Sequence, residues 1–367
     1  MHGWAVGMIN TKTYFYHDKP LFGLDIGPSS IKVMQVDTNG GLASAKHKPE
    51  VIGYGSANFG LEAIKEGIVV KPKIIAEAAK KLFNSELIGD ITTRRVALAI
   101  PAYRTFTRTL QLPKLKENEI NEATHLEAEQ YISTPIDELY MDYEVASLDV
   151  DKTETFFVAV PKIIVRSYLE LAEILGLETV LIEPTLSSSG RLFANDPNSN
   201  IPTVIIDFGS LSADISIYSG RILATGTVPA GGEIFTAAIK TALNVTEPEA
   251  HLIKTKYGLG ASKHQAEILK ALEPTMTHLI KELRRMIRYY EEHYGNDHPI
   301  KQVITLGGGT NMPGLIDYLT SDLRIPVRHS DPWQFFNFKG LVPPSGADRP
   351  KYSTAAGLSI IKPGEIF

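Results

Sequence analysis

The chain contains no cysteine, which excludes disulfides and thiolate zinc sites and fits a reducing compartment. No apolar run approaches the roughly 18 residues that mark a membrane span, so no spanning helix is expected. Met1 to Asn10 lack a basic stretch followed by an apolar one, and no signal peptide is expected there. Neither sign of charge dominates: 37 basic against 42 acidic residues leave a net charge of −5, which gives no broad nucleic-acid footprint. No G-x-x-x-x-G-K-S/T run and no H-E-x-x-H pair occur, so neither a P-loop nor a zinc-protease helix is available. His293 and His298 lie near Gly295 and Asn296 without further ligands, and a metal site there is not expected. What remains is 367 residues of ordinary composition, 43% hydrophobic and 22% charged, enough for two or more domains with a sizeable core. The expectation is a soluble cytoplasmic protein.

Against this background one stretch stands out, Ile205 to Tyr218. An apolar strand, a small-residue turn and a strand alternating apolar with polar residues read as a β-hairpin. Gly209 lets the turn bring backbone N–H groups close to a bulky group, and Ser210 and Ser212 add hydroxyls. Such a turn can cradle a phosphate, and Asp207 at the strand end could hold a hydrated Mg²⁺. An ordinary hairpin with a polar turn explains a single copy equally well. A second copy occurs at Leu24 to Val33, where Asp25 matches Asp207, Gly27 matches Gly209 and Ser30 matches Ser212. Two such hairpins far apart suggest a duplicated domain. If the halves face each other, two turns and two carboxylates converge on one cleft.

Residues 1–20 read as a leader ending at Pro20, and 21–37 as the first hairpin. A strand over 51–58, a helix over 71–87 and a buried strand over 95–100 complete a β-β-β-α-β order, which suits a mixed sheet covered by helices. Strands over 104–113, 142–149 and 155–160, the last two around a turn at 149–152, join helices over 117–131 and 163–175. The block 105–180 is complete enough to be an inserted subdomain. A strand over 180–183, a helix over 185–194 and a turn over 196–202 lead to the second hairpin. Gly231 and Gly232 precede a helix over 233–243, and 244–300 are mainly helical. The stripe from Ile268 to Tyr290 is core packing, and Lys281, Arg284, Arg285 and Arg288 are a solvated face paired with Glu282, Glu291 and Glu292. The strand 303–306 runs into Gly307, Gly308 and Gly309, followed by a helix over 315–323. A strand, a glycine turn and a helix N-terminus suit a nucleotide, and the glycines would let a base and its sugar lie against the backbone. A final helix spans 352–361.

The order of two D-x-G hairpins, a G-G before a helix, L-G-G-G-x-x-x-x-G-L and a late A-A-G-L resembles the actin-like ATPase superfamily. Within it, the chain resembles the PilM family of type IV pilus assembly proteins, relatives of the cell-division protein FtsA. The local matches are Gly23 to Lys32, Leu112-Pro113-Lys114-Leu115, Glu127 to Ile132 before Pro135, and Asp142-Tyr143. The resemblance covers about residues 20–362. It implies an α/β fold of duplicated actin-like (RNase H-like) domains, mixed sheets flanked by helices, with an inserted α+β subdomain. The first large domain is expected at 21–104 with 181–201 and 353–367, and the insertion at 105–180. The second large domain is expected at 202–235 with 303–352, and a helical subdomain at 236–302.

The implied cofactors are ATP and Mg²⁺. The turns carrying Gly27, Ser29, Ser30, Gly209, Ser210 and Ser212 would hold phosphates, and Asp25 and Asp207 would position the metal and water. Gly307, Gly308, Gly309 and Asn311 would take the adenosine, while Gly231 and Gly232 pack where the second large domain meets its helical subdomain. Lys32 lies beside the first turn and is expected to point off the hairpin. The family's helix carries A-E-x-x-K, whose Glu and Lys contact ribose. Here Lys254 matches but His251 replaces the Glu. A neutral His can hydrogen-bond a hydroxyl but lacks a carboxylate's charge-assisted bond, which puts the ribose contact in question; His251 also reads as a plain surface residue. No catalytic base stands out, since Gln130, His125 and Arg104 are available by type only, so the expectation is ATP as a switch with slow or absent turnover.

The implied partner is the N-terminal cytoplasmic segment of a PilN-like inner-membrane protein, in a groove near residues 104–140 between the first large domain and the insertion. The wider pilus assembly machinery and possible self-association are further expectations. Residues 362–367 are too short and broken for a bilayer-binding helix, so recruitment to the inner face of the plasma membrane would come through a partner. An FtsA-like polymerising scaffold, a small-molecule kinase of the same superfamily and a scaffold without nucleotide remain alternatives.

Overall fold

The computed structural model describes residues 19–37, 48–148, 152–196, 198–294 and 298–362. Most of the expected leader, the centre of the 149–152 turn, Gly295 and Asn296, and the tail from 363 lie outside the described residues.

In chain order the strands are β1 (Phe22–Ile26), β2 (Ser30–Asp37), β3 (Glu50–Asn58), β4 (Ile64–Lys65), β5 (Ile68–Val69), β6 (Ile88–Gly89), β7 (Arg95–Ile100) and β8 (Phe106–Pro113). They continue as β9 (Leu139–Leu148), β10 (Lys152–Pro161), β11 (Glu178–Pro184), β12 (Thr203–Phe208), β13 (Ala213–Tyr218), β14 (Ile222–Val228), β15 (Gln302–Leu306) and β16 (Val327–His329). The helices are α1 (Pro72–Lys81), α2 (Glu117–Glu129), α3 (Lys162–Ile174), α4 (Thr185–Phe193), α5 (Gly232–Leu243), α6 (Glu247–Lys256), α7 (Gln265–Tyr294), α8 (Leu315–Leu323) and α9 (Ser353–Ser359).

The first sheet has the order β11-β7-β1-β2-β3-β6 and the second β14-β13-β12-β15-β16. The middle strand of each copy, β1 or β12, pairs antiparallel with the strand that follows it, which pairs antiparallel with the next. On its other side each middle strand pairs parallel with β7 or β15, which pairs parallel with β11 or β16. The strands β3-β2-β1-β7-β11 therefore repeat as β14-β13-β12-β15-β16, the duplication that the two hairpins suggest. Strands β1 and β7 are buried along their whole length; covered on both faces, they are apolar apart from Asp25 and Arg95. The stripe of α7 from Ile268 to Tyr290 is buried in the core of the second lobe, as its helical spacing indicates.

Two segments near the expected boundaries pack across them. The small sheet β8-β10-β9 and α2 enclose their own core around Leu110, Ile120, Ala128 and Phe157. Helix α3 instead buries Ile164, Val165, Tyr168 and Leu171 with Ile75 and Leu98 of the first lobe. Helix α3, within the expected 105–180 block, thus turns its apolar face to the first sheet. The segment 332–352, grouped by sequence with the second domain, packs Trp333, Phe336 and Tyr352 on Met34, Val51 and Tyr54 of the first sheet.

Helices α4 and α9 cross between the lobes. Phe193 of α4 packs with Ile205, Tyr218 and Ile304 of the second sheet, while Ala355 and Ala356 of α9 pack on the first. A Cβ at Gly357 would lie 2.0 Å from the Ser188 carbonyl oxygen, so only glycine permits this approach. The crossing brings the carboxyl ends of β1 and β12 to a common opening, the place where open α/β sheets hold ligands.

Candidate functional site

The two turns are built alike. Gly27 N–H donates to the Ser30 carbonyl at 2.9 Å, and Gly209 N–H donates to the Ser212 carbonyl at 2.9 Å. They also touch: the Ser29 and Ser210 hydroxyls are hydrogen-bonded at 3.0 Å although 181 positions separate them. Between the lobes lies a cleft of about 510 Å³. Asp25, Gly27, Ser30 and Lys32 line it from the first hairpin, and Asp207, Gly209, Ser210 and Ser212 from the second. Gly307, Gly308, Gly309 and Asn311 form another wall, and Gly232, Lys254 and His251 a third.

Of the residues singled out by sequence, Ser29 and Gly231 stand behind the lining. Ser29 ties the turns together, and Gly231 is the packing glycine: a Cβ there would meet the Ser210 carbonyl oxygen at 2.3 Å. Gly232 N–H and Glu233 N–H donate to the Gly209 and Ser210 carbonyls at 3.0 and 2.8 Å, so the N-terminus of α5 fixes the second turn. Gly307 has φ +76° and leaves no room for a Cβ, which would lie 2.3 Å from Asp207 Oδ1. Gly308 faces open space, its nearest neighbour being Lys351 Cβ at 3.9 Å. The Lys254 ammonium donates to the Gly232 carbonyl and the Thr236 hydroxyl, both at 2.8 Å; its burial lowers its pKa from the ordinary lysine value. Lys254 thus braces the start of α5, and His251 one turn earlier is exposed and lines the cleft.

Lys32 does not point off its hairpin. Its Nζ lies 2.9 Å from Asp25 Oδ2, with side chains only 12% and 10% exposed. Asp25 and Lys32 are register partners on β1 and β2, so they share a sheet face, and the acidic partner draws the ammonium into the cleft. The equivalent register pair in the second hairpin is Asp207 and Asp214. Burial, then the charge of Asp214, push the Asp207 carboxyl up to about 7. Burial pushes Asp214 up to about 6 against hydrogen bonds from Thr227 and Ser212. Sequence reading missed Asp214, although its seven-residue spacing from Asp207 equals that of Lys32 from Asp25 and signals the cross-strand pairing. It also missed Tyr103, Lys351 and Thr354 in the lining, which long-range packing alone brings there. Gln130, His125 and Arg104 lie elsewhere: His125 bonds its own helix at Asn121 and Arg104 pairs with Glu66.

The cleft can take an anion against its two glycine turns and a cation beside its carboxylates. Lys32 answers Asp25, which leaves Asp207 and Asp214 short of positive charge. Among the described residues no three His, Asp or Glu side chains form a direct metal cage. The donor set fits a hydrated divalent cation carried in with a polyphosphate better than a stripped one. Beside the cleft, a second cavity of about 330 Å³ opens where the insertion, the first lobe and β14 meet.

A family model described as type IV pilus assembly protein PilM matches residues 23–362. The solved structure of a PilM-PilN type IV pilus biogenesis complex superposes with a TM-score of 0.78 at 24% identity, covering 93% of this chain and 97% of that one. MreB5 of Spiroplasma citri, solved with ADP, superposes with a TM-score of 0.50 at 13% identity, covering 94% and 96%. The cell division protein FtsA of Neisseria meningitidis serogroup B is 22% identical, covering 91% of this chain and 88% of its own length. The fold is the duplicated actin-like one with mixed sheets flanked by helices.

Proposed function

Because the chain belongs to the type IV pilus assembly protein PilM family, we propose that it is an ATP-binding actin-like scaffold that holds a PilN-like partner under nucleotide control. The observation that carries the nucleotide reading is the pair of matched turns facing one cleft, joined by the Ser29–Ser210 hydrogen bond. Phosphates lie against the Gly27 and Gly209 turns, where backbone N–H groups can approach closely. Lys32 supplies the cation nearest the first turn. Asp25 and Asp207 would hold a hydrated Mg²⁺, which would supply positive charge to the triphosphate and to the buried acids. Gly308, which has room beside it, would take the adenosine, and His251 would face the ribose in place of a carboxylate. Asp207 in its ionised form can accept a proton from or orient a water, but no side chain in the lining is placed as a dedicated base. The reading is therefore of a switch with slow or absent turnover.

The partner reading is supported by the likeness to the solved PilM-PilN complex and by the second cavity, one wall of which, from Thr105 to Arg108 with Tyr131 and Ile132, falls within the expected 104–140 region. The N-terminal cytoplasmic segment of the PilN-like inner-membrane protein lies there. No helix among the described residues is long and apolar enough to cross a membrane, so this partner supplies the attachment to the inner membrane and to the pilus machinery. Nucleotide closes the two lobes and alters the surface offered to the partner.

The test is calorimetry with Mg-ATP on the wild type and Asp207→Ala, followed by titration with the N-terminal PilN-like peptide. Saturable binding of both ligands to the wild type, with nucleotide binding weakened at least tenfold in the variant, is expected. A wild type that takes up no nucleotide overturns the nucleotide reading, and one that ignores the peptide overturns the partner reading.

A further inference from the structure

The second cavity and the cleft share a wall. Tyr103 lines both. Thr227 lines the cavity, and its hydroxyl donates to Asp214 Oδ1 at 2.8 Å, while Asp214 lines the cleft. Asp214 and Thr227 are register partners on β13 and β14, so a shift of one strand carries the other. The far wall belongs to the insertion, with Phe106, Ile132 and Phe157 apolar and Arg108 held over the Tyr131 ring at 3.8 Å. The insertion is itself tied to β14, since Thr107 bonds Thr225 and the Thr109 hydroxyl donates to the Leu223 carbonyl at 2.9 Å. Anything that enters the cavity therefore presses on β14 on one side and on Tyr103 on the other.

We propose that the cavity and the cleft are one linked pair of sites, in which an apolar side chain of an extended partner segment seated in the cavity resets the cleft through Thr227 and Tyr103. This inference rests on the nucleotide and partner readings above. The cavity has room for one such side chain and a mixed lining: Phe106, Ile132, Phe157 and Leu186 offer apolar contact, and Thr105, Thr107, Thr225 and Thr227 offer hydroxyls to the backbone of an extended segment. Thr227 acts as a positioning residue. It orients one oxygen of Asp214, which in turn faces Asp207 across the hairpin. Linkage is reciprocal, so Mg-ATP in the cleft changes the cavity by the same factor as an occupant of the cavity changes Mg-ATP affinity.

The absence of cysteine gives a direct test. Phe106 lines the cavity and is 38% exposed, so Phe106→Cys can be labelled with monobromobimane, whose aromatic ring then stands in for the partner side chain. Mg-ATP affinity is measured by calorimetry for labelled and unlabelled protein, alone and with Thr227→Val. The expected result is a change of about fivefold or more on labelling, lost with Thr227→Val, and a bimane emission that responds to Mg-ATP only when Thr227 is present. Thr105→Cys, on the same cavity wall, serves as a second label position against a local folding defect. Equal affinities before and after labelling at both positions overturn the linkage while leaving nucleotide binding standing. A shift that persists with Thr227→Val overturns the route. Unlabelled protein that binds no Mg-ATP shows that the nucleotide reading itself has failed, and the linkage with it.

Discussion

Asp207 and Asp214 stand directly opposite one another across β12 and β13, at the positions where the first hairpin sets Asp25 against Lys32. The duplication has kept the frame and changed the charge, from a compensated pair to two acids. Burial and mutual repulsion push Asp207 up to about 7, and burial pushes Asp214 up to about 6. Both values lie above the ordinary carboxylate value of about 3.9, so the folded chain binds more protons than the unfolded one between these limits. The stability contributed by Asp207 is full below about pH 4 and is lost as pH rises through about 7. Without ligand, thermal melts should show Asp214→Asn gaining on the wild type at pH 8 by roughly 1–3 kcal/mol, with the gain shrinking towards pH 5. A ligand cation reverses the sign: Mg-ATP affinity should rise from pH 5.5 to 8 with net proton release. Calorimetry in buffers of different ionisation enthalpy measures that release, and uptake of protons would contradict it.

Gly307 and Gly308 are adjacent and should behave differently. At Gly307 the φ of +76° and the 2.3 Å approach of Asp207 Oδ1 to an added Cβ make alanine strained whatever the ligand. Gly307→Ala should lose about 1–3 kcal/mol in urea unfolding. At Gly308 an added methyl meets nothing closer than 3.9 Å, so Gly308→Ala should melt within about 2 °C of the wild type. If adenosine lies on that backbone, Gly308→Val should nonetheless weaken Mg-ATP severalfold. A Gly308→Val chain with normal affinity would move the base elsewhere in the cleft.

The parts of the fold written in local pattern were legible. Asp25, Gly27 and Ser30 recur as Asp207, Gly209 and Ser212 because a tight turn after a buried strand needs those residue types within a few positions. The α7 stripe was legible because a helix repeats its buried face every turn. What local pattern does not encode is which lobe a segment packs on. Helix α3 follows the insertion without a break in sequence, yet its apolar face is shaped to the first sheet. Trp333, Phe336 and Phe338 have no helical or strand period, and their place against Tyr54 is set by ring packing at centroid distances of 5.2–6.2 Å within the cluster. The direction of Lys32 was within reach, since a two-strand register drawn from the turn sets it opposite Asp25.

That Lys32–Asp25 pair gives a second electrostatic test. Both side chains are largely buried, and removing one partner strands the other's charge. Lys32→Met should cost about 2–4 kcal/mol in urea unfolding. The double change Lys32→Met with Asp25→Asn should recover much of that loss, because no bare carboxylate is left. Nucleotide binding should remain weak in the double variant, since it lacks both the cation beside the first turn and one of the two carboxylates assigned to Mg²⁺. If stability and binding recover together, Lys32 and Asp25 both serve the fold alone.

The insertion is held to the second lobe by Glu154, which accepts hydrogen bonds from Arg221 and, at 3.1 Å, from the Tyr294 hydroxyl. The side chains of Glu154 and Arg221 are 16% and 32% exposed, so the pair is screened less than a surface bridge. Burial, with Glu154 beside it, pushes the Tyr294 hydroxyl up to about 12, which keeps it a donor throughout the working pH range. Glu154→Ala leaves Arg221 without its carboxylate in a half-covered place and frees the edge of β8 from β14. Hydrogen exchange should then quicken in residues 106–110 and 223–227 by a factor matching roughly 1–3 kcal/mol of lost local stability, while the cores around α3 and α7 keep their protection. Tyr294→Phe should give a smaller change of the same pattern, since it removes one neutral donor and no charge. Unchanged exchange in both segments would mean that the Thr107–Thr225 and Thr109–Leu223 contacts hold the two sheets together without Glu154.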